Sequence, residues 1–139
     1  MKIINAHDMI VGRVATFAAK LLLSGEEVAI VNCKDAIVTG EKVAVAKWYD
    51  RKVKQGVPSK GPFYPKRSDM LVKRIIRGML PYKQARGQDA FKRLRCYVTT
   101  PEGLMDKEMI VPEGASYQKL PNKNYKRLYE IVRQKEGAQ

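Results

Sequence analysis

The chain reads as a single α/β domain: a mostly parallel sheet of about four strands with helices on both faces, a basic loop and a C-terminal helix. Three observations carry this expectation. Val28–Cys33 (VAIVNC) is a continuous apolar run rather than an alternating one, the pattern of a strand covered on both faces in a parallel sheet. Short apolar runs of this kind alternate along the chain with longer segments of helical period. With 139 residues, 45% of them hydrophobic, the chain is long enough to bury one core without staples.

In chain order, Ile3 and Ile4 within Met1–Asn5 suit a first buried strand, followed by a polar turn over Asn5–Asp8. Gly12 precedes a helix in which Val14, Phe17, Ala18, Leu21 and Leu22 share one face. Arg13, Thr16 and Lys20 share the other, and Gly25 supplies the stop. Arg13 stands in the first turn, where the helix dipole disfavours a cation, so it is read either as meeting a phosphate near the helix N-terminus or as a solvated side chain. Ala36–Thr39 repeats the strand signal after Val28–Cys33. Gly40 opens a second helix, Glu41–Gln55, with Val45, Trp48, Tyr49 and Val53 as the inward stripe and Lys42, Lys47, Arg51, Lys52 and Lys54 outward. Trp48 is expected as a core anchor rather than a base-stacking platform, and Gly56 ends the helix.

Val57–Pro65 (VPSKGPFYP) holds three prolines and is expected to be a stiff surface loop that loses little entropy on binding. It carries Lys60, Phe63 and Tyr64 and leads into Lys66 and Arg67. Its aromatics either stack on splayed bases or pin the loop to the body. From Phe63 to Arg95 the chain holds ten basic residues against two acidic ones, Asp69 and Asp89. The middle of this stretch is an amphipathic helix: Leu71, Val72, Ile75, Ile76 and Met79 fall on one side, and Lys73, Arg74 and Arg77 on the other. Ser68 or Asp69 can cap its first turn, and Pro81 marks its end. Gly78 within it costs roughly 1 kcal/mol relative to Ala, so a close approach is expected there, by a neighbouring helix or by an RNA backbone.

Gln84–Arg93 reads as a shorter helix interrupted at Gly87, and Leu94–Val98 as a further strand. Thr99–Asn122 is turn-rich, and Asn124 can cap a last helix in which Tyr125, Leu128, Tyr129 and Val132 share a face. The expected organisation is therefore one domain over 1–139, with an α/β core to about residue 100 and an extension over 101–139.

The formal net charge of +13 and pI near 9.9 imply a polyanionic partner, with nucleic acid first. A membrane surface is disfavoured, because the most basic helix lacks the aromatic enrichment of interfacial anchors. Cys33 and Cys96 lie far apart in sequence with no metal-ligand spacing and read as buried thiols in a reducing compartment. No leader or spanning segment is visible, so a cytoplasmic location is expected. Catalytic motifs are missing: no nucleophile elbow, phosphate-binding glycine loop, dinucleotide fingerprint or paired acids at metal-ligand spacing. The one histidine, His7, reads as a capping or surface residue. An enzyme, a cofactor, a metal and a small-molecule substrate are therefore not expected.

At this point particular residues carry a likeness. Phe63–Arg67 (FYPKR), Lys73-Arg74, Arg77–Pro81 (RGMLP), Arg86-Gly87 and Leu94–Tyr97 resemble the ribosomal protein L-thirteen family of the large subunit. So do Gly12–Thr16, Ala19-Lys20, Gly25 and Val28–Asn32 followed by Ile37–Gly40. The FYPKR loop, and the absence after Tyr97 of the His-Pro-His stretch associated with bacterial members, are similar to the archaeal and eukaryotic branch. Asn5 departs from the family's usual Asp and Cys33 from its small residue. Nothing beyond Pro101 carries the likeness. The resemblance implies an α/β/α layered domain that binds large-subunit ribosomal RNA beside neighbouring ribosomal proteins, supports assembly and stays as a structural component. The residues expected at the RNA are Arg13, Lys20, Lys60, Tyr64, Lys66, Arg67, Lys73, Arg74, Arg77, Lys83, Arg86 and Arg93, with Gly78 and Gly87 permitting close approach. Two other readings stay open: a free RNA-binding regulator, and a small α/β enzyme acting on nucleotides or RNA with its phosphate site at Asn5–Gly12.

Overall fold

β1 (Lys2–Asn5), β2 (Val28–Val31) and β4 (Leu94–Cys96) form a parallel sheet with β2 in the middle. This is a computed structural model describing residues 1–121 and 123–136, with side chains to residue 132. Asn122 and residues 137–139 of the expected extension lie outside it. All four residues of β2 are buried, as its unbroken apolar run requires. Because successive side chains point to opposite faces, Ile4, Val28, Ile30 and Leu94 enter the main core, while Ile3, Ala29 and Val31 point the other way.

Helices α1 (Val11–Leu23), α3 (Ser68–Met79) and α4 (Ala85–Lys92) lie on the main-core side. The periodicity placed them well. Val14, Ala18 and Leu22 of α1 and Leu71, Val72 and Ile76 of α3 are buried. The opposite face differs from the layered expectation. Tyr97, Leu104 and Met109 cover it, carried by extended chain and a single 3₁₀ turn at Glu102–Leu104 rather than by an α-helix. Three modest side chains on short strands need no more cover than that. The extension also closes the free edge of β1: Ile110 N–H donates to Ile3 O (2.7 Å) and Asn5 N–H to Ile110 O (3.1 Å).

β3 (Ile37–Thr39) does not join the parallel sheet. It pairs antiparallel with β5 (Tyr125–Arg127), in register Ile37 with Arg127 and Thr39 with Tyr125. The last helix, α5 (Leu128–Glu136), accordingly starts at Leu128, not at Asn124, whose carbonyl accepts from Gly40 N–H. Pairing with β3 holds 125–127 extended and aims Arg127 at the strand ends. There Arg127 Nη1 meets Asp8 Oδ1 at 2.5 Å and donates to Asp35 O at 3.2 Å. His7 sits between Asp8 Oδ2 and Asp35 Oδ2, 3.3 Å from each. Leu128, Ile131 and Val132 of α5 join Val45 and Tyr49 of α2 (Lys42–Lys54) in the same hydrophobic cluster as α1 and α3.

Other local expectations change. Trp48 is 37% exposed, set at the rim of α2 while Val45 and Tyr49 carry its packing. Met79 is exposed too, its sulfur accepting from the Thr16 hydroxyl. No side chain caps α3: Arg67 is the N-cap residue, Ser68 is the first helical residue, and the Asp69 carboxylate accepts from Met70 N–H (2.8 Å). Cys33 is buried but Cys96 only half-buried. The two lie side by side, and the hydrogen bond to Cys96, then burial, push the Cys33 thiol far up.

α4 runs through Gly87 without interruption. A Cβ at that position would lie 2.0 Å from Pro81 O and 2.8 Å from Tyr82 N, so the close neighbour is the chain's own backbone. Gly87→Ala should therefore destabilise the fold by about 2–3 kcal/mol, read as a lower urea midpoint with unchanged slope. An unshifted midpoint would mean that α4 can move away at no cost.

Candidate nucleic-acid interface

Aromatic contacts hold α2 to the 57–67 loop, α3 follows the loop directly in the chain, and cations project from all three. The loop is closed on itself by Gly61 N–H to Val57 O (2.8 Å) and Lys60 N–H to Val57 O (3.3 Å). Gly56 makes this closure possible, since its φ is +88° and a Cβ there would meet Gly61 O at 2.2 Å. Tyr64 then packs edge-on against Trp48 and Tyr49, with centroids 6.1 and 6.0 Å apart. The Tyr49 hydroxyl donates to Pro65 O (2.9 Å). Burial pushes the Tyr64 phenol up, and the Arg74 guanidinium nearby offsets part of that shift. Of the two loop aromatics, Tyr64 is therefore the pin. Phe63 is 76% exposed and free to meet a ligand.

On α3, Lys73, Arg74 and Arg77 leave the core face, as the periodicity requires. Lys73 Nζ stands 5.0 Å above the Phe91 ring and the Arg77 guanidinium 4.9 Å from the Tyr82 ring. Arg67 reaches Asp69 Oδ2 at 3.2 Å. Lys60, Lys66, Lys83 and Arg86 extend the cationic surface on either side. Among the described residues, only Lys54 and Arg67 of the cations on α2, this loop, α3 and α4 have a carboxylate within 4.0 Å. The rest carry net field.

Not every expected residue joins this face. Arg13 donates to Gly114 O and so ties α1 to the extension. Arg93 is half-buried, and its Nη2 donates to Leu22 O (2.7 Å) in the last turn of α1, where a cation suits the dipole. Both guanidinium groups hold the fold together. Gly87 is buried against Pro81 and is not available for close approach by RNA. Lys20 is exposed on α1. Gly78 is exposed, and a Cβ there would find no atom within 4 Å, so the helix–helix explanation for it fails. Conversely, Lys42, Lys47, Arg51, Lys52 and Lys54 were not among the expected site residues. Their outward stripe is plain in the sequence, but the contacts of Trp48 and Tyr49 with Tyr64 and Pro65 that attach it to the loop are not.

The strand-to-helix turn that an enzyme would use for phosphate is filled. Ile10 N–H donates to Ala115 O (2.7 Å), Tyr117 N–H donates to Asp8 O, and the Asp8 carboxylate holds Arg127. No described helix is long and apolar enough to cross a membrane.

The family described as Ribosomal protein L13 matches residues 1–103. The chain belongs to the ribosomal protein L13 family. Its similarity to individual relatives runs through the extension as well. The Methanosarcina barkeri protein named large ribosomal subunit protein uL13 is 44% identical over 139 residues, covering 99% of each chain. The Methanococcoides burtonii protein of that name is 44% identical over 134 residues, 96% of each. The one from Haloarcula marismortui is 42% identical over 129 residues, 93% of this chain and 86% of its own. All three are archaeal, in agreement with the branch that the FYPKR loop resembles.

For this L13 chain the two loop aromatics should respond differently to truncation. Tyr64→Ala should cost about 1–3 kcal/mol in urea unfolding, and Phe63→Ala no more than about 0.5 kcal/mol. Equal losses would contradict the division between pin and free ring.

Proposed function

We propose that this chain is a structural constituent of the large ribosomal subunit, acting over 1–139 as one unit that binds large-subunit ribosomal RNA and supports subunit assembly and translation. Its place is then the cytoplasmic ribosome, among neighbouring ribosomal proteins, and it has no catalytic step to perform. Membership of the L13 family supports the ribosomal part. The observation that carries the RNA part is the run of cations without carboxylate partners across α2, the loop, α3 and α4, set on elements whose opposite faces are buried.

Lys60, Lys66, Arg67, Lys73, Arg74, Arg77, Lys83 and Arg86 neutralise phosphates of several RNA segments, with the α2 cations continuing the surface and Lys20 flanking it on α1. Each phosphate neutralised releases condensed counterions, which gives affinity with little dependence on base sequence. The rings under Lys73 and Arg77 hold those heads partly in place before RNA arrives, which lowers the ordering cost. Gly78 leaves α3 bare, so a sugar–phosphate backbone can rest against the helix. Nothing among the described residues offsets the propensity that this glycine forgoes.

Arg74→Glu with Arg77→Glu should weaken binding to large-subunit RNA roughly 100-fold at low salt and remove the chain from the large-subunit peak on a gradient. The salt dependence should flatten by roughly 1.5 in log–log slope, the share of two phosphate contacts. Retained sedimentation of a folded double variant overturns the assignment. Gly78→Ala separates fold from binding. It should raise unfolding stability by about 0.5–1 kcal/mol and lower RNA affinity, whereas unchanged affinity would mean that no backbone rests there.

A further inference from the structure

A cleft of about 620 Å³ opens at the carboxyl ends of β2 and β4, and of the cations just described it shares Arg67. Its floor is the junction where Cys33 N–H donates to Tyr97 O (3.1 Å) and Lys34 N–H to Val98 O (3.4 Å). Lys34, Asp35, Arg67 and Ser68 line one part, and Val98, Tyr129 and Val132 another. In open α/β sheets, the crevice outside the carboxyl ends of the strands is where ligands sit.

Two independent features point to an anion. The N-terminus of the 12-residue helix α3 opens here without a side-chain cap, and the N–H groups of Ser68 and Asp69 donate to no described group. Ser68 itself is 6% exposed and lines the cleft, and its hydroxyl, which opens on the cleft, has no hydrogen-bond partner among the described residues. From there the hydroxyl can donate to whatever occupies the cleft. Lys34 supplies positive charge, and the Arg67 guanidinium, also in the lining, is shared with the Asp69 carboxylate at 3.2 Å. The one carboxylate in the lining, Asp35, is turned to His7 at 3.3 Å. The volume exceeds what a single ion needs, and the walls at Tyr129, Val98 and Val132 are apolar.

We propose that this cleft binds one nucleotide unit. Its phosphate lies on the α3 N-terminus and accepts hydrogen bonds from the Ser68 hydroxyl, the Ser68 and Asp69 N–H groups and Lys34. Its sugar or base lies against Tyr129 and Val132. The unit belongs either to an RNA strand or to a free mononucleotide, and the two share the phosphate chemistry.

The test is amide NMR of the full chain titrated with adenosine 5′-monophosphate, with inorganic phosphate and with a short single-stranded RNA. Saturable shifts at Lys34, Ser68 and Asp69 are expected with the monophosphate. Lys34→Gln and Ser68→Ala should each weaken them roughly tenfold, the loss of one charge-assisted hydrogen bond, while the remaining spectrum stays folded. Displacement of the monophosphate by RNA identifies a strand as the source, and its failure to displace identifies a free nucleotide. No saturable shift at these amides at millimolar ligand, or shifts equal in both variants, overturns the site. The Arg74→Glu/Arg77→Glu protein keeps the two conclusions apart. Lost RNA binding with retained monophosphate shifts tests the outer face alone, and the reverse tests the cleft alone.

Discussion

Charge imbalance is the constraint that the rest of the structure answers to. Twenty-seven lysines and arginines against fourteen acids leave +13 on a chain of 139 residues, and such an excess repels itself when compact. The structure answers by sorting charge. Near the strand ends, Asp8, Asp35, His7 and Arg127 form a closed group that joins the extension to the first turn. Across α2 to α4, among the described residues, the cations other than Lys54 and Arg67 stand without a carboxylate partner, with rings beneath two of them. Burial of Leu71, Val72 and Ile76 must hold α3 in place against the repulsion of its own outer face. A polyanion converts that repulsion into attraction, so fold and binding draw on opposite faces of the same helix.

Much of this was legible because helical period is a strong signal. α1 and α3 were marked by their apolar stripes and by the glycine and proline beyond their ends, and β2 by its unbroken run. What escaped was pairing. Tyr125–Arg127 continues smoothly into a helical pattern, and nothing in three residues reveals that they lie antiparallel beside Ile37–Thr39. The cover of the second sheet face escaped for a similar reason: Leu104 and Met109 are isolated apolar residues in a turn-rich stretch, with no period to announce them.

The interface was legible in kind more than in membership. A count of cations finds the basic stretch, yet it cannot tell Arg77, poised over Tyr82, from Arg93, bonded to Leu22 O. Glycines divide in the same way. Gly78 and Gly87 look alike in sequence, nine positions apart on basic helices. One faces open space and the other lies against the Pro81 backbone. Trp48 escaped because its spacing from Val45 and Tyr49 suits the core, while the surface it reaches is the Tyr64 ring of a loop.

The Asp8–Arg127 contact bears on how the chain is made. During synthesis Asp8 emerges 119 positions ahead of its cation (127 − 8), an interval of roughly ten seconds at ordinary elongation rates. Throughout that interval the parallel sheet can assemble, since β1, β2 and β4 all precede residue 97. The edge of β1 stays open until Ile110 arrives. The nascent protein thus passes through a stage with an unpaired strand edge and an unneutralised carboxylate pair, while its cationic helices are already displayed. Early engagement of those helices by RNA would shield the half-closed domain from other chains until its last strand locks the turn.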